Sequence, residues 1–200
     1  NLTTIQGGAG DDQFLLGSVT NLLDGLQGRL HVLGNGGNAD LVQFFDQGQT
    51  LGHTYTITQT TFQRTGGLIS IPAITYSGME LFLAETGSGD DNITIAGIGA
   101  TTTADINAND GDDQFCLTAS MANALTASLT TNLRGANGND RFFVLSTAAA
   151  TPGKVNLLGE AGDDQFSFPG LGILANGCID GGDGIDTIDY SERSTAALVN

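Results

Sequence analysis

The stretch Gly7-Gly-Ala-Gly-Asp-Asp12, followed by Gln13-Phe14-Leu15-Leu16, decides how this chain is read. Its pattern returns as Asn35-Gly-Gly-Asn-Ala-Asp40, Thr86-Gly-Ser-Gly-Asp-Asp91 and Ala108-Asn-Asp-Gly-Asp-Asp113. It returns again as Gly135-Ala-Asn-Gly-Asn-Asp140, Gly159-Glu-Ala-Gly-Asp-Asp164 and Gly181-Gly-Asp-Gly-Ile-Asp186. Counted from one final Asp to the next, the spacings are 28, 51, 22, 27, 24 and 22 residues. The interval of 51 is about two of the others. One unit between Asp40 and Asp91 is therefore expected to have lost its turn signature.

The flanks repeat with the turns. Two residues after each final Asp stand Phe14, Val42, Ile93, Phe115, Phe142, Phe166 and Ile188; four after stand Leu16, Phe44, Ile95, Leu117, Val144, Phe168 and Tyr190. Seven before stand Ile5, Leu33, Ala84, Ile106, Leu133, Leu157 and Ile179. Apolar residues at every second position are the signature of a strand with one buried face. Each unit thus reads as strand, tight Gly-Asp turn, strand and a more variable return. Only residues 121–129 come near helical spacing.

Units this short cannot bury their own apolar faces and must stack on their neighbours. Equivalent strands then pair in parallel, and like side chains form columns. The expected fold is all-β, a right-handed parallel β-solenoid of about eight coils of 22–28 residues, with 1–200 a single segment. Phe14, Phe115, Phe142 and Phe166 are expected to share one inner ladder. A β-sandwich would not keep apolar residues at three fixed offsets through seven units.

Composition narrows the function. The 200 residues hold 30 Gly, 6 Lys+Arg and 22 Asp+Glu, a formal net charge of −16. That charge excludes nucleic acid and an anionic membrane surface as partners. No apolar run reaches the ~20 residues of a membrane span. Of the acids, 18 are Asp and 4 are Glu, and Asp is the residue of turns. The chain begins at Asn1, as expected of a processed product or a fragment.

Thirteen Asp fall inside the seven turn windows, so stacking aligns carboxylates along one edge. Carboxylates roughly 5 Å apart repel by on the order of 1 kcal/mol per pair in water, and by more when desolvated. Six basic residues, Arg29, Arg64, Arg134, Arg141, Lys154 and Arg193, are too few to neutralise that edge. Calcium takes six to eight oxygens, and a Gly-rich turn offers carbonyls beside its carboxylates. The candidate ligands are Asp11, Asp12, Asp40, Asp90, Asp91, Asp110, Asp112, Asp113, Asn139, Asp140, Asp163, Asp164, Asp183 and Asp186. The strongest pairings expected are Asp90/Asp91 with Asp112/Asp113, then Asp163/Asp164 with Asp183/Asp186. The competing reading is a metal-free turn whose Asp bonds to its own backbone. Asp113→Ala is expected to weaken both flanking sites, and Asp24→Ala, outside any turn, to do little.

Gly7-Gly-Ala-Gly-Asp-Asp-Gln-Phe-Leu15 resembles the calcium-binding nonapeptide of the RTX (repeats-in-toxin, hemolysin-type) family. Ile74-Thr-Tyr-Ser-Gly-Met-Glu-Leu81 and Gly181-Gly-Asp-Gly-Ile-Asp-Thr-Ile-Asp-Tyr-Ser191 resemble segments of very large bacterial surface and secreted proteins. The resemblance implies Ca2+ as ligand and a secreted or cell-surface location. It also implies a structural role as filament, stalk, surface-layer or adhesin building block. Family members run their nonapeptides in tandem, whereas each coil here carries one. Metal is therefore expected on one edge of a wider coil. Further copies or neighbouring repeats are the expected end-to-end partners, because a bare sheet edge invites another chain.

Residues 46–84 break the rhythm and are expected to form an irregular coil or a β-hairpin arm. An exposed aromatic or basic groove over residues 48–77 would favour the alternative of a carbohydrate-binding or carbohydrate-active module. Enzyme chemistry finds little footing. His31 and His53 stand apart in sequence, His31 on a strand face and His53 in a loop, and no Gly-x-Ser-x-Gly elbow occurs. Ice binding needs Thr at one offset in every coil, but only Thr3 and Thr131 share the position nine before the final Asp. Cys116 and Cys178 are expected to be buried thiols, too far apart along the stack for a disulfide.

Overall fold

The computed structural model describes residues 1–118, 129–145, 153–170 and 176–192. Across them the chain is all-β, with no helix among the described residues; the helix candidate at 121–129 lies, but for its last residue, outside them. Strands are numbered along the chain. One sheet has ten, in the order β1 (Leu2–Ala9), β3 (Arg29–Gly36), β7 (Ile74–Ser77), β6 (Thr61–Gly66), β5 (His53–Ile57), β9 (Asn92–Ile95), β11 (Gln114–Leu117), β13 (Arg141–Val144), β15 (Gln165–Ser167) and β17 (Thr187–Asp189). The other has seven, in the order β16 (Ile179–Asp183), β14 (Lys154–Ala161), β12 (Thr130–Asn137), β10 (Thr103–Asn107), β8 (Leu81–Glu85), β4 (Leu41–Phe45) and β2 (Gln13–Leu16).

The chain passes from one sheet to the other and back, advancing along both. Every pairing is parallel except those of β6, which runs antiparallel to β5 and β7. Two lines of connections result. At the first edge the chain leaves the ten-stranded sheet for the seven-stranded one, and at the second it returns.

Alternation of apolar and polar residues buries one face of each strand. Tyr55, Ile93, Phe115, Phe142, Phe166 and Ile188 are successive register partners in the ten-stranded sheet. The rings of Phe115 and Phe142 stack at 4.8 Å, and those of Phe142 and Phe166 at 4.9 Å. Phe14 is not a rung of this ladder. It lies on β2 in the opposite sheet, beside Val42. Leu33 is half-buried and Val32 takes the core position, because the turn ending at Asp40 is one residue longer than that ending at Asp12.

The segment at 46–84 explains the long interval. β5, β6 and β7 form an antiparallel meander within the ten-stranded sheet, between β3 and β9, while β4 pairs directly with β8. The phase of the repeat changes there. Turns ending at Asp12 and Asp40 sit on the first edge, and those ending at Asp91, Asp113, Asp140, Asp164 and Asp186 on the second. The turn without the signature is at 78–80, where Asp40 donates its N–H to Glu80 Oε2 at 3.0 Å. The meander is no protruding arm, since Tyr55, Ile57, Phe62, Ile74 and Tyr76 are all buried.

Candidate functional site

Each tight turn is built from its glycines. At the fourth position of the motif, Gly138 and Gly162 have φ of 141° and 140°. A Cβ at Gly138 would overlap the carbonyl oxygen of Gly111, and one at Gly162 that of Gly138. The stacked turns therefore touch backbone to backbone, which only glycine permits. The second position is left-handed too, and there the sequence puts Ala136 (φ 76°) and Glu160 (φ 75°). Left-handed backbone costs an L-residue roughly 1–2 kcal/mol. Ala136→Gly, whose native side chain is not needed for the turn, is expected to gain about 1 kcal/mol and raise the thermal midpoint by about 2–4 °C. Differential scanning calorimetry checks it.

The final Asp residues form a ladder along the second edge. Asp91 Oδ1 accepts the His53 N–H at 2.7 Å, and Asp113 Oδ1 accepts the Asp91 N–H at 2.7 Å. Asp140 Oδ1 accepts from Asp113 at 2.8 Å, Asp164 Oδ1 from Asp140 at 2.8 Å, and Asp186 Oδ1 from Asp164 at 3.1 Å. The preceding residues form a second ladder of opposite sense. Asp112 donates its N–H to Asp90 Oδ1 at 3.0 Å, Asn139 to Asp112 Oδ1 at 2.8 Å, and Asp163 to Asn139 Oδ1 at 2.9 Å. Ile185 closes the series on Asp163 Oδ1 at 2.8 Å. On the first edge Asp12 donates its N–H to Asp40 Oδ1 at 2.8 Å, and Asp11 Oδ1 accepts from Asn38 at 2.9 Å. Of the third-position acids, Asp110 Oδ1 accepts from Asn137 Nδ2 at 2.8 Å and Asp183 is exposed. The final and penultimate acids thus bond to the backbone of the neighbouring turn, and Asp91 bonds to its own as well, its Oδ2 accepting the Gly87 N–H at 3.2 Å.

In most of the turns these contacts leave one oxygen of the final acid. The Oδ2 atoms of Asp12, Asp40, Asp113, Asp140 and Asp164 are buried with no hydrogen-bond partner among the described residues. In three of these turns this oxygen fills the space a side chain would take at the first motif position: Asp12 Oδ2 at Gly7, Asp140 Oδ2 at Gly135 and Asp164 Oδ2 at Gly159. Burial, opposed by a backbone hydrogen bond and reinforced by neighbouring acids, pushes Asp113 up to about 8 and Asp140 up to about 7. Asp91 and Asp164 are raised for the same first reason. A buried carboxylate with an orphaned oxygen needs a proton or a cation.

The turns expected to pair lie against each other on both sides of the phase change. The turns at 12 and 40 are stacked, as are those at 91, 113, 140, 164 and 186. Asp turns occupy both edges, not one. A cleft of about 300 Å³ runs over the second-edge column, lined by Asp90, Asp91, Asp112, Asp113, Asn139 and Arg141. Among the described residues no three His, Cys, Asp or Glu side chains converge on one point. A cation held here would draw on backbone carbonyls as well as carboxylates.

Sequence reasoning missed a second charged cluster. Arg64 on β6 is fully buried and donates from Nη1 to both oxygens of Asp46 at 2.9 Å; from Nη2 it donates to Asp24 and to the Ile69 carbonyl. Tyr55 Oη donates to Asp46 Oδ2 at 2.8 Å, and burial raises its phenol. Asp24, held below the usual carboxylate range by Arg64 and Gln49 against the effect of burial, is therefore no inert control. Removing one partner of a buried ion pair costs about 3–5 kcal/mol.

The remaining candidates fall elsewhere. His53 opens β5 and is buried rather than in a loop, its Nδ1 without a partner among the described residues, while His31 is half-buried on β3. Cys116 and Cys178 are free but are not the buried thiols expected, since Cys116 is half-buried on β11 and Cys178 is exposed. Over residues 48–77 the aromatic rings and the one arginine are buried, so no aromatic or basic groove is presented there. Compared with known proteins, the chain matches no family model, and no curated protein is significantly similar to it.

Proposed function

We propose that this chain is a calcium-stabilised structural segment, a right-handed parallel β-solenoid of a secreted or cell-surface protein. The observation that carries the reading is the file of buried, half-satisfied carboxylates at Asp113, Asp140 and Asp164. Calcium between successive turns would be held by these acids, by Asp90, Asp112, Asn139 and Asp163 outside them, and by turn carbonyls. On the first edge Asp11, Asp12 and Asp40 would serve in the same way. Neighbouring repeats or further copies would continue the stack beyond β1, whose Leu2 and Ile5 are exposed. The role is mechanical, with calcium outside the cell as the condition for rigidity.

Thermal unfolding followed by circular dichroism, first in excess EGTA and then in a few millimolar calcium, tests the proposal. A ligand at a hundred times its dissociation constant adds about 2.7 kcal/mol per site. Several sites are expected to raise the midpoint by more than about 10 °C in a chain of this size. Asp113→Ala is expected to lose a large part of that rise. An unchanged midpoint would leave the turns closed on each other without metal and end the calcium reading.

A further inference from the structure

His53 holds the register position of Asp91 one turn earlier, and Asp46 opens that earlier second-edge turn, aligned with Thr86. Asp46 Oδ1 accepts the Leu23 N–H at 2.9 Å, as Asp91 Oδ1 accepts that of His53. The turn at 46–52 lies against the turn at 86–91: Ser88 donates its N–H to the Gln49 carbonyl at 2.8 Å, and Gly52 abuts the Asp90 backbone. Asp91 also has both oxygens bonded, its Oδ2 by the Gly87 N–H at 3.2 Å, and the later acids differ from these two. Asp113, Asp140 and Asp164 each keep an orphaned oxygen, but both oxygens of Asp46 are satisfied, by Leu23, Tyr55 and Arg64. Arg64 pairs with Asp46, whereas among the described residues no ion pair reaches Asp113, Asp140 or Asp164. The Arg64 guanidinium also reaches Asp24 in the preceding connection and the Ile69 carbonyl beyond β6, tying three segments together. Among the described residues only its Nε is left without a partner.

We infer that Arg64 is a resident cation of the second-edge turn on which the acid column stacks. It makes the meander and the turns at 18–24 and 46–52 a metal-independent unit on which the calcium-dependent turns stack. The aromatic packing fits this assignment. Phe44 and Phe62 stack at 3.9 Å, and Tyr55, Tyr76 and Phe82 close around them, giving the segment a core that asks nothing of the Asp turns. The second half of the inference, calcium dependence beyond residue 91, rests on the function proposed above. The first half does not.

Hydrogen–deuterium exchange read by mass spectrometry on the whole chain, metal-free and then with a few millimolar calcium, separates the two. In metal-free buffer, peptides covering β5 and β6 are expected to exchange at least about tenfold more slowly than those covering β11, β13 and β15. Calcium is expected to slow the second group and leave the first unchanged. Equal, fast exchange of both groups without metal would overturn the resident cation. Exchange of β11, β13 and β15 that calcium does not alter would overturn the calcium reading alone. Arg64→Met then decides the inference by itself: lost protection confined to residues 18–77 supports it, and unchanged protection there overturns it. Should Arg64→Met not fold, Asp24→Asn, which removes one charge from around the guanidinium, is expected to speed exchange of β6 several-fold. An unchanged β6 would overturn the inference equally.

Discussion

In metal-free buffer the thermal midpoint of this chain is expected to fall as the pH is raised from 5 to 8, and calcium is expected to reverse that slope. Asp113 and Asp140, pushed by burial up to about 8 and about 7, bind protons in the folded chain at pH values where the unfolded chain has released them. Stability changes with pH in proportion to the protons bound by the unfolded state minus those bound by the folded state. Here that difference is negative between about pH 4 and 8. The contribution is fully present below the unfolded carboxylate range and is lost as pH rises through the folded values. The two groups together are expected to lower the midpoint by at least several degrees over the window. The formal charge of −16 acts in the same direction, because self-repulsion grows as the acids ionise.

Under the proposed function calcium changes the sign, because it would bind the ionised carboxylate. Each ion so bound would displace a proton from Asp113 or Asp140, and its apparent affinity would rise with pH. The calcium-loaded chain is expected to melt higher at pH 8 than at pH 5. Circular-dichroism melts at pH 5, 6, 7 and 8, in buffer stripped of metal on a resin and then with calcium restored, read both slopes. Two slopes of the same negative sign would mean that protons alone satisfy the acid column.

What the sequence revealed of this arrangement, and what it hid, follows from the range of the interactions concerned. Strand alternation and turn chemistry are local, so the β class, the parallel register of Phe115, Phe142 and Phe166, and the stacking of turns at 91, 113, 140, 164 and 186 were legible. The phase change was not. Residues 46–84 contain ordinary β-forming alternation, and nothing local distinguishes a coil from a three-strand meander that moves the Asp turn to the opposite edge. Phe14 was misassigned for that reason, since it obeys the same offset rule on the other side of the shift. The Arg64 cluster was hidden by distance. Asp24, Asp46, Tyr55 and Arg64 share no motif, and only an arginine at an apolar-facing strand position, between Phe62 and the Gly66-Gly67 turn, hinted at a buried charge.

Phe142→Ala tests whether the aromatic ladder and the acid ladder act as one. Phe142 is fully buried between Phe115 and Phe166, at 4.8 and 4.9 Å. Removing its ring from a packed core costs about 3–5 kcal/mol, or about 10–15 °C here, whereas Phe142→Leu keeps much of the volume and costs about 1–1.5 kcal/mol. The cavity should not collapse, because β13 is fixed by parallel pairing on both sides and by Asp140 two residues earlier, which donates to one neighbouring turn and accepts from the other. In a chain whose stability is a sum of nearest-neighbour terms, each rung holds only while the rungs beside it are formed. The full cost is therefore expected in calcium. In metal-free buffer at pH 8, where the column around Asp140 is weakest, a midpoint difference of less than half that size is expected. Matched calorimetric scans of both proteins under the two conditions measure it. An identical cost in each would show that the phenylalanine ladder stands without the acid column, and that calcium stiffens only the turns.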